Sequence, residues 1–215
     1  VPTPIHRLFR PRALPAEFDF ELAGGLRARV RPIRPMDSVR FERGYPKLSE
    51  ASRRARFFGQ ASALSQTQLH FLTAVDQVRH VAWGALNADD LDDPGIGIAR
   101  YIAMSPTSTT AEVALTILDA YQHRGAGSLL HACLHLTAAR HGFRTFVYDV
   151  SQDNVRFLRN LKAIGANQID VAEHIVRLEM PVYRRPAQLP KTADGLRFVE
   201  IMKRLARVRP LAASA

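Results

Sequence analysis

Residues 111–166 read AEVALTILDAYQHRGAGSLLHACLHLTAARHGFRTFVYDVSQDNVRFLRNLKAIGA. The first eight residues, Ala111 to Leu118, form a strand. Gln122-His123-Arg124-Gly125-Ala126-Gly127 interrupts it before a helix from about Gly127 to Arg140, which carries Leu130, Cys133, Leu134 and Ala138 on one stripe. RTFVYDV (144–150) is the next strand, and Asn154 opens a short helix ending near Gly165, a residue suited to the position just past a helix. The junction at 122–127 is the informative part. A strand-to-helix turn presents free backbone N–H groups and the positive end of a helix dipole. Glycine lets the backbone approach a ligand closely and adopt positive φ. Together these features make a pyrophosphate cradle. The spacing is not a dinucleotide GxGxxG, and the Lys-Ser/Thr of a P-loop is missing. Taken alone, the loop reads equally as a tight turn.

Upstream, the prolines Pro2, Pro4, Pro11 and Pro15 make residues 1–16 an extended arm. FDFEL (18–22) and LRARVRPI (26–33) alternate as a β-hairpin turned at Gly24 and Gly25. Asp37 is placed to cap a helix over roughly 38–46, and a second helix starts near Ser49. Ser65 or Thr67 caps a third segment, QLHFLTAV. HVAWGALN (80–87) and IGIARYIAM (96–104) are strands joined by an acidic turn. Downstream, IVRLEMPV supplies the last strand and residues 186–191 a linker. Leu196, Val199, Met202 and Leu205 mark an amphipathic C-terminal helix that docks on its own domain or on a second subunit. The order of elements gives a mixed α/β domain with one core.

The 215 residues are 47% hydrophobic and 23% charged, which excludes global disorder. No apolar run approaches the ~18 residues of a membrane span, and VPTPIHRLFRPR lacks a signal peptide's apolar centre. The single cysteine, Cys133, excludes an internal disulfide framework and a Cys-rich zinc site. A cytoplasmic protein with no membrane association is expected. The formal charge of +10 favours anionic partners. No zinc finger, RNP-type strand or helix-turn-helix accompanies it, so nucleic acid is not the expected partner.

The 111–166 stretch resembles the acetyl-CoA-binding core of the GNAT N-acetyltransferase superfamily. Gln122 to Gly127 fits the (Gln/Arg)-x-x-Gly-x-(Gly/Ala) signature, Asn154 follows the next strand, and Gly165 lies eleven residues further on. Ala166 departs from the Phe of the family's Gly-Phe pair. A closer resemblance is to bacterial protein-lysine acetyltransferases of the Pat type, carried by VRPIRPMDSVRFERGYPKLSEASRRARFF, VDQVRHVAWGAL and AEVALTILDAYQHRGAG.

The resemblance implies an α/β fold: a mixed GNAT-type sheet with splayed central strands and flanking helices. It implies an N-terminal arm and first strand over 1–25, the acetyltransferase domain over 26–185, and a linker with the C-terminal helix over 186–215. Acetyl-CoA would be the co-substrate, without a metal. The acceptor would be a protein lysine attacked directly in a ternary complex, or else a small amine or polyamine. A non-catalytic acyl-CoA-binding domain is the remaining alternative. Leu115 and Ile117 would pair their backbones with the pantetheine arm, and a bulge at Thr116 would splay the strands. Gln122, His123, Arg124, Gly125, Ala126, Gly127 and Ser128 would hold the pyrophosphate, with Asn154 and Phe157 as further cofactor contacts. Arg124 and Arg156 are candidates for neutralising its phosphates. Glu112, ten residues before Gln122, takes the general-base role. The family's Tyr seven residues after the Asn is here Leu161, so no general acid is supported there.

His131 and His135 stand at i, i+4 without a following metalloprotease Glu, and a solvated helix face is expected. Asp89–Asp93 lacks the calcium-loop pattern and reads as a charged hairpin loop. Cys133 reads as core, and Trp83 packs in the sheet. His80 either lines the acceptor cleft or is buried against the helices.

Overall fold

The computed structural model describes residues 13–57 and 63–211, so most of the proline-rich arm lies outside the described residues. Eight strands form one sheet: β1 (Phe18–Glu21), β2 (Arg27–Pro32), β3 (His80–Asn87), β4 (Gly97–Ala103), β5 (Thr110–Ile117), β6 (Thr145–Ser151), β7 (Asn167–Ala172) and β8 (Ile175–Pro181). Their spatial order is β1-β2-β3-β4-β5-β6-β8-β7. Every neighbouring pair is antiparallel except β5 and β6.

Strand alternation places one set of residues on each face. Phe18, Val30, Val81, Trp83, Tyr101, Val113, Phe146 and Leu178 are buried on the face covered by α4 (Ala126–His141). Beside α4 lie α5 (Val155–Ala163) and α6 (Ala193–Leu205). The other face carries α1 (Ser38–Gly44), α2 (Glu50–Phe57) and α3 (Gln66–Thr73).

The caps explain several boundaries. Ser65 accepts from the Gln68 amide at 3.2 Å while Gln68 Oε1 accepts from the Ser65 amide at 2.8 Å, a reciprocal box that starts α3. Asn154 Oδ1 accepts from the Phe157 amide and starts α5, and Gly165, at φ +103°, follows its end. The Asp37 carboxylate does not cap α1. It accepts from the Arg34 amide at 2.8 Å and from both terminal nitrogens of Arg31, at 2.6 and 2.8 Å. Burial alone would raise its pKa, but these bonds outweigh that and hold it below the usual carboxylate range.

One strand is unexpected and three expectations need correction. The strand β7 alternates only over Gln168–Val171 and is exposed along its length, too short a signal to mark a strand. Its hairpin with β8 turns on Glu173 and His174, at φ +47° and +67°, where an Asn-Gly signal would be usual. No bulge interrupts β5 at Thr116: the β4–β5 register is continuous from Gly97↔Ile117 to Ala103↔Ala111. His131 and His135 are buried rather than solvated, because α6 and the 182–183 segment close over that side of α4. Their rings contact Phe198 at 5.3 and 5.7 Å, and His135 stacks on Tyr183 at 5.5 Å. The stripe of α6 is also rotated: Phe198, Met202 and Leu205 are buried, whereas Leu196 is exposed. That helix docks on its own domain through α4 and α5.

Candidate active site

The central feature is the parting of β5 and β6. They pair through Thr110↔Thr145, Ala111↔Phe146 and Glu112↔Val147 only. Beyond Glu112 the β6-facing edge of residues 113–117 has no strand partner. Parallel strands that stop pairing leave backbone groups that an extended ligand can satisfy. The divergence itself, without a bulge, opens the gap.

A cleft of about 680 Å³ fills the gap, bounded by α4, α5 and α6 on one side and by Ser52 and Ala55 of α2 on the other. Every predicted cofactor contact except Arg124 lines it: Leu115, Thr116, Ile117, Gln122, His123, Gly125, Ala126, Gly127, Ser128, Asn154 and Phe157. The Arg124 guanidinium instead lies against Gly24, and its carbonyl accepts from the Ala23 amide at 3.1 Å. Arg124 thus ties the loop to the β1–β2 turn.

The loop is shaped by two left-handed residues, His123 at φ +65° and Gly125 at φ +90°. Gly125 occupies the N-cap of α4, so the amides of the first turn face the cleft without intrahelical acceptors. Gln122 Nε2 donates to the Ile117 carbonyl at 3.2 Å, closing the turn behind the strand. Asp119 accepts from the Ser49 amide and hydroxyl and from the Ser52 hydroxyl, which pins α2 beside the loop. The mouth is net basic: Arg156, Arg159 and Arg197 line it with His123, Asp194 pairs with Arg197 at 3.4 Å, and the Arg156 guanidinium meets the His123 ring. Arg159, Arg197 and the α6 wall of Phe198 and Ile201 carry no sequence signal. Arg159 reaches the cleft from α5, and Arg197, Phe198 and Ile201 reach it because α6 folds back over α5.

Glu112 does not line this cleft. It is exposed on the opposite face of β5, at the last residue before the strands part. The registers place His80, Ile102, Glu112, Val147, Glu179 and Asn167 in one row across that face. Asp149 and Arg177 pair in the neighbouring row. His80 is half-buried against Phe71, with its ring Nε2 3.1 Å from Arg100 Nη1. Burial and the Arg100 charge lower its pKa to about 4, so it is neutral at pH 7. Leu161 is buried in the cleft wall where a tyrosine would stand. Cys133 is fully buried and its thiol pKa is pushed up by that burial, as a core residue requires. The indole of Trp83 donates to the Thr137 hydroxyl at 3.1 Å. Among the described residues no cluster of metal-ligating side chains occurs, and no helix is long and apolar enough to cross a membrane.

No protein-family model matches the chain. Acetyltransferase PA5475 of Pseudomonas aeruginosa is 34% identical over 140 residues, covering 65% of this chain and 74% of that protein. Acetyltransferase Pat of Mycolicibacterium smegmatis is 31% identical over 174 residues, covering 78% of this chain and 50% of that protein; the chain thus spans half the length of that relative. The crystal structure of the GNAT domain of S. lividans PAT superposes with a TM-score of 0.69 at 31% identity, over 77% of this chain and 96% of that domain.

Proposed function

Because this chain belongs to the Pat-type GNAT N-acetyltransferases, we propose that it transfers acetyl from acetyl-CoA to the ε-amine of a protein lysine by direct attack in a ternary complex. One observation carries the proposal: the large cleft runs through the gap between the parting strands, and Glu112 stands at the base of that gap, outside the cleft, on the face away from α4. Donor and acceptor therefore reach the gap from different sides and can be present together.

The donor side fits a CoA thioester. The amides at the start of α4 and the basic mouth suit a pyrophosphate. The unpaired edge of Leu115–Ile117 suits an amide-bearing arm that adds like a strand. Asn154, capping α5 through its oxygen, keeps its side-chain NH₂ for the ligand.

The acceptor side fits a lysine on a polypeptide. A free lysine has a pKa near ~10.4, so neutralising it at pH 7 costs about 4–5 kcal/mol. Glu112 is the general base that removes this proton, directly or through water. Its surroundings are an open sheet face bearing Asp149, Asp170, Glu179 and Arg177, which admits an extended cationic segment more readily than it encloses a small amine. With Leu161 in place of a tyrosine, the leaving thiolate takes its proton from water or from the substrate ammonium. The protein is expected to work in the cytoplasm, where acyl-CoA is available.

Mass spectrometry of a lysate incubated with the protein and labelled acetyl-CoA tests the reading. Label on protein lysines is the expected result. Label only on polyamines would replace the acceptor, and a failure of acetyl-CoA to bind at sub-millimolar concentration in calorimetry would refute the donor.

A further inference from the structure

Glu112 divides its sheet face into two unlike halves. Toward β4 and β3 its row continues as Ile102 and His80. Ile102 is half-buried, and Met104, just past the end of β4, is 58% exposed. Phe71 of α3 lies with its ring 5.3 Å from the His80 ring and is itself 54% exposed. His80 is neutral at pH 7, and the buried Arg100 beside it is turned to the Leu72 carbonyl and the His80 ring. This half is uncharged and largely apolar. Toward β6, β8 and β7 the row continues as the buried Val147, then Glu179 and Asn167. The next row adds Asp170 opposite Arg177. Arg177 is committed to Asp149, which leaves Glu179 and Asp170 without an ion pair among the described residues. This half is acidic.

The two halves set the chemistry of what covers them. Neighbouring strands lie about 4.8 Å apart, and an extended peptide advances about 3.3 Å per residue. Two to three residues therefore span the two strands from Glu112 to His80 and Phe71, and as many span the two strands to Glu179. A polyamine would satisfy the acids and leave the apolar half uncovered. A second copy of this chain docked face to face would bring the same unpaired acids together or press them onto apolar side chains, which is costly. A peptide with an apolar side chain on one side of its lysine and a cationic one on the other satisfies both halves at once.

We propose that this face selects its acceptor by sequence, requiring an apolar residue two to three positions to one side of the lysine and an arginine or lysine two to three positions to the other. The inference rests on the reading of Glu112 as the mark of the acceptor side. Phe71, Ile102 and Met104 receive the apolar side chain, and Glu179 with Asp170 receives the cation. None of these five touches the reacting atoms; they fix which lysine is presented to Glu112.

The test compares peptides of one composition, each with a single lysine, leucine and arginine. Leucine and arginine stand on opposite sides of the lysine, in both orders, or together on one side. One opposite-side order is expected to exceed the same-side peptides about five- to tenfold in kcat/KM, mainly through KM. Phe71→Ser with Met104→Ser should abolish the gain from leucine and keep that from arginine, and Glu179→Gln should do the reverse. All three side chains are exposed, so the variants should fold and bind acetyl-CoA within about twofold of wild type in calorimetry. Equal kcat/KM for every peptide would overturn the inference. So would a loss in the Phe71 and Met104 variant that is the same with and without leucine in the peptide. A changed sedimentation coefficient in that variant, with peptide selectivity intact, would overturn it by assigning the apolar half to a second copy. Acetyl-CoA binding without acetylation of any peptide lysine would instead refute the protein-lysine acceptor.

Discussion

Glu112 stands where β5 leaves β6, and the general-base role proposed for it is tested there. Replacing it by Gln keeps the shape and removes the base, so kcat should fall about 10²–10³-fold while KM for acetyl-CoA and the melting temperature barely move. Near wild-type kcat at pH 7 would remove it from the mechanism. The role proposed for Glu112 comes from the family resemblance, which puts a base Glu ten residues before Gln122. His135 was not legible, because an i, i+4 histidine pair suggests an exposed face. The clue lay in its helix, where Leu129, Leu130, Ala132, Leu134, Leu136 and Ala138 leave no polar side, as in a helix buried all round. His135 Nε2 lies 3.3 Å from the Pro181 carbonyl, and its buried Nδ1 has no partner among the described residues. Burial lowers its pKa to about 4. The unfolded chain therefore binds the proton first as pH falls below ~6.5, and stability drops from there down to about pH 4. At pH 5 this one histidine should remove about 2 kcal/mol. Chemical denaturation at pH 7 and pH 5 checks it: the loss should be smaller in His135→Phe.

At the level of elements, the turn into α4 was readable because its chemistry is local. A glycine at φ +90° and a helix N-terminus are both visible as letters. Gly125→Val puts a β-branched side chain in the left-handed region, at a cost of about 1–3 kcal/mol. It also places bulk beside the amides proposed to receive the pyrophosphate, so acetyl-CoA affinity should weaken at least about tenfold in calorimetry. An unchanged dissociation constant in a folded variant would move the phosphate site elsewhere. The elements that could not be read owe their form to tertiary contact. β7 exists because β8 offers it an edge, not because NQIDVA prefers to be a strand. The orientation of α6 is set by the aromatic pocket around Phe198, and it follows the i, i+4, i+7 stripe of Phe198, Met202 and Leu205, opposite which Leu196 stands. Phe198→Ala should cost about 3–4 kcal/mol and widen the cleft wall, lowering the urea midpoint and weakening acetyl-CoA together.

The molecule as a whole carries +10, yet its sites divide that charge. The donor mouth collects Arg156, Arg159 and an Arg197 paired with Asp194. Other arginines are spent on structure: Arg27 on Asp89, Arg31 on Asp37, and Arg40 and Arg43 on the carbonyls of the 91–93 loop. Composition could announce the excess but not its partition, which depends on which strands lie side by side. The sheet row beside Glu112 bears Asp170 and Glu179 together with an Asp149–Arg177 pair, an acidic excess on β6 to β8. A cationic acceptor is thus drawn to one face while a polyanionic donor is drawn to the other, and salt should weaken both encounters. Raising ionic strength from about 0.05 to 0.5 M should lower kcat/KM for a lysine flanked by arginines about five- to tenfold, and for the same lysine in an uncharged peptide far less. Glu179→Lys, which touches neither the cleft nor Glu112's own strand, should flatten the first response and leave the acetyl-CoA dissociation constant unchanged. Equal salt responses for the two peptides would mean that the acidic face does not meet the acceptor.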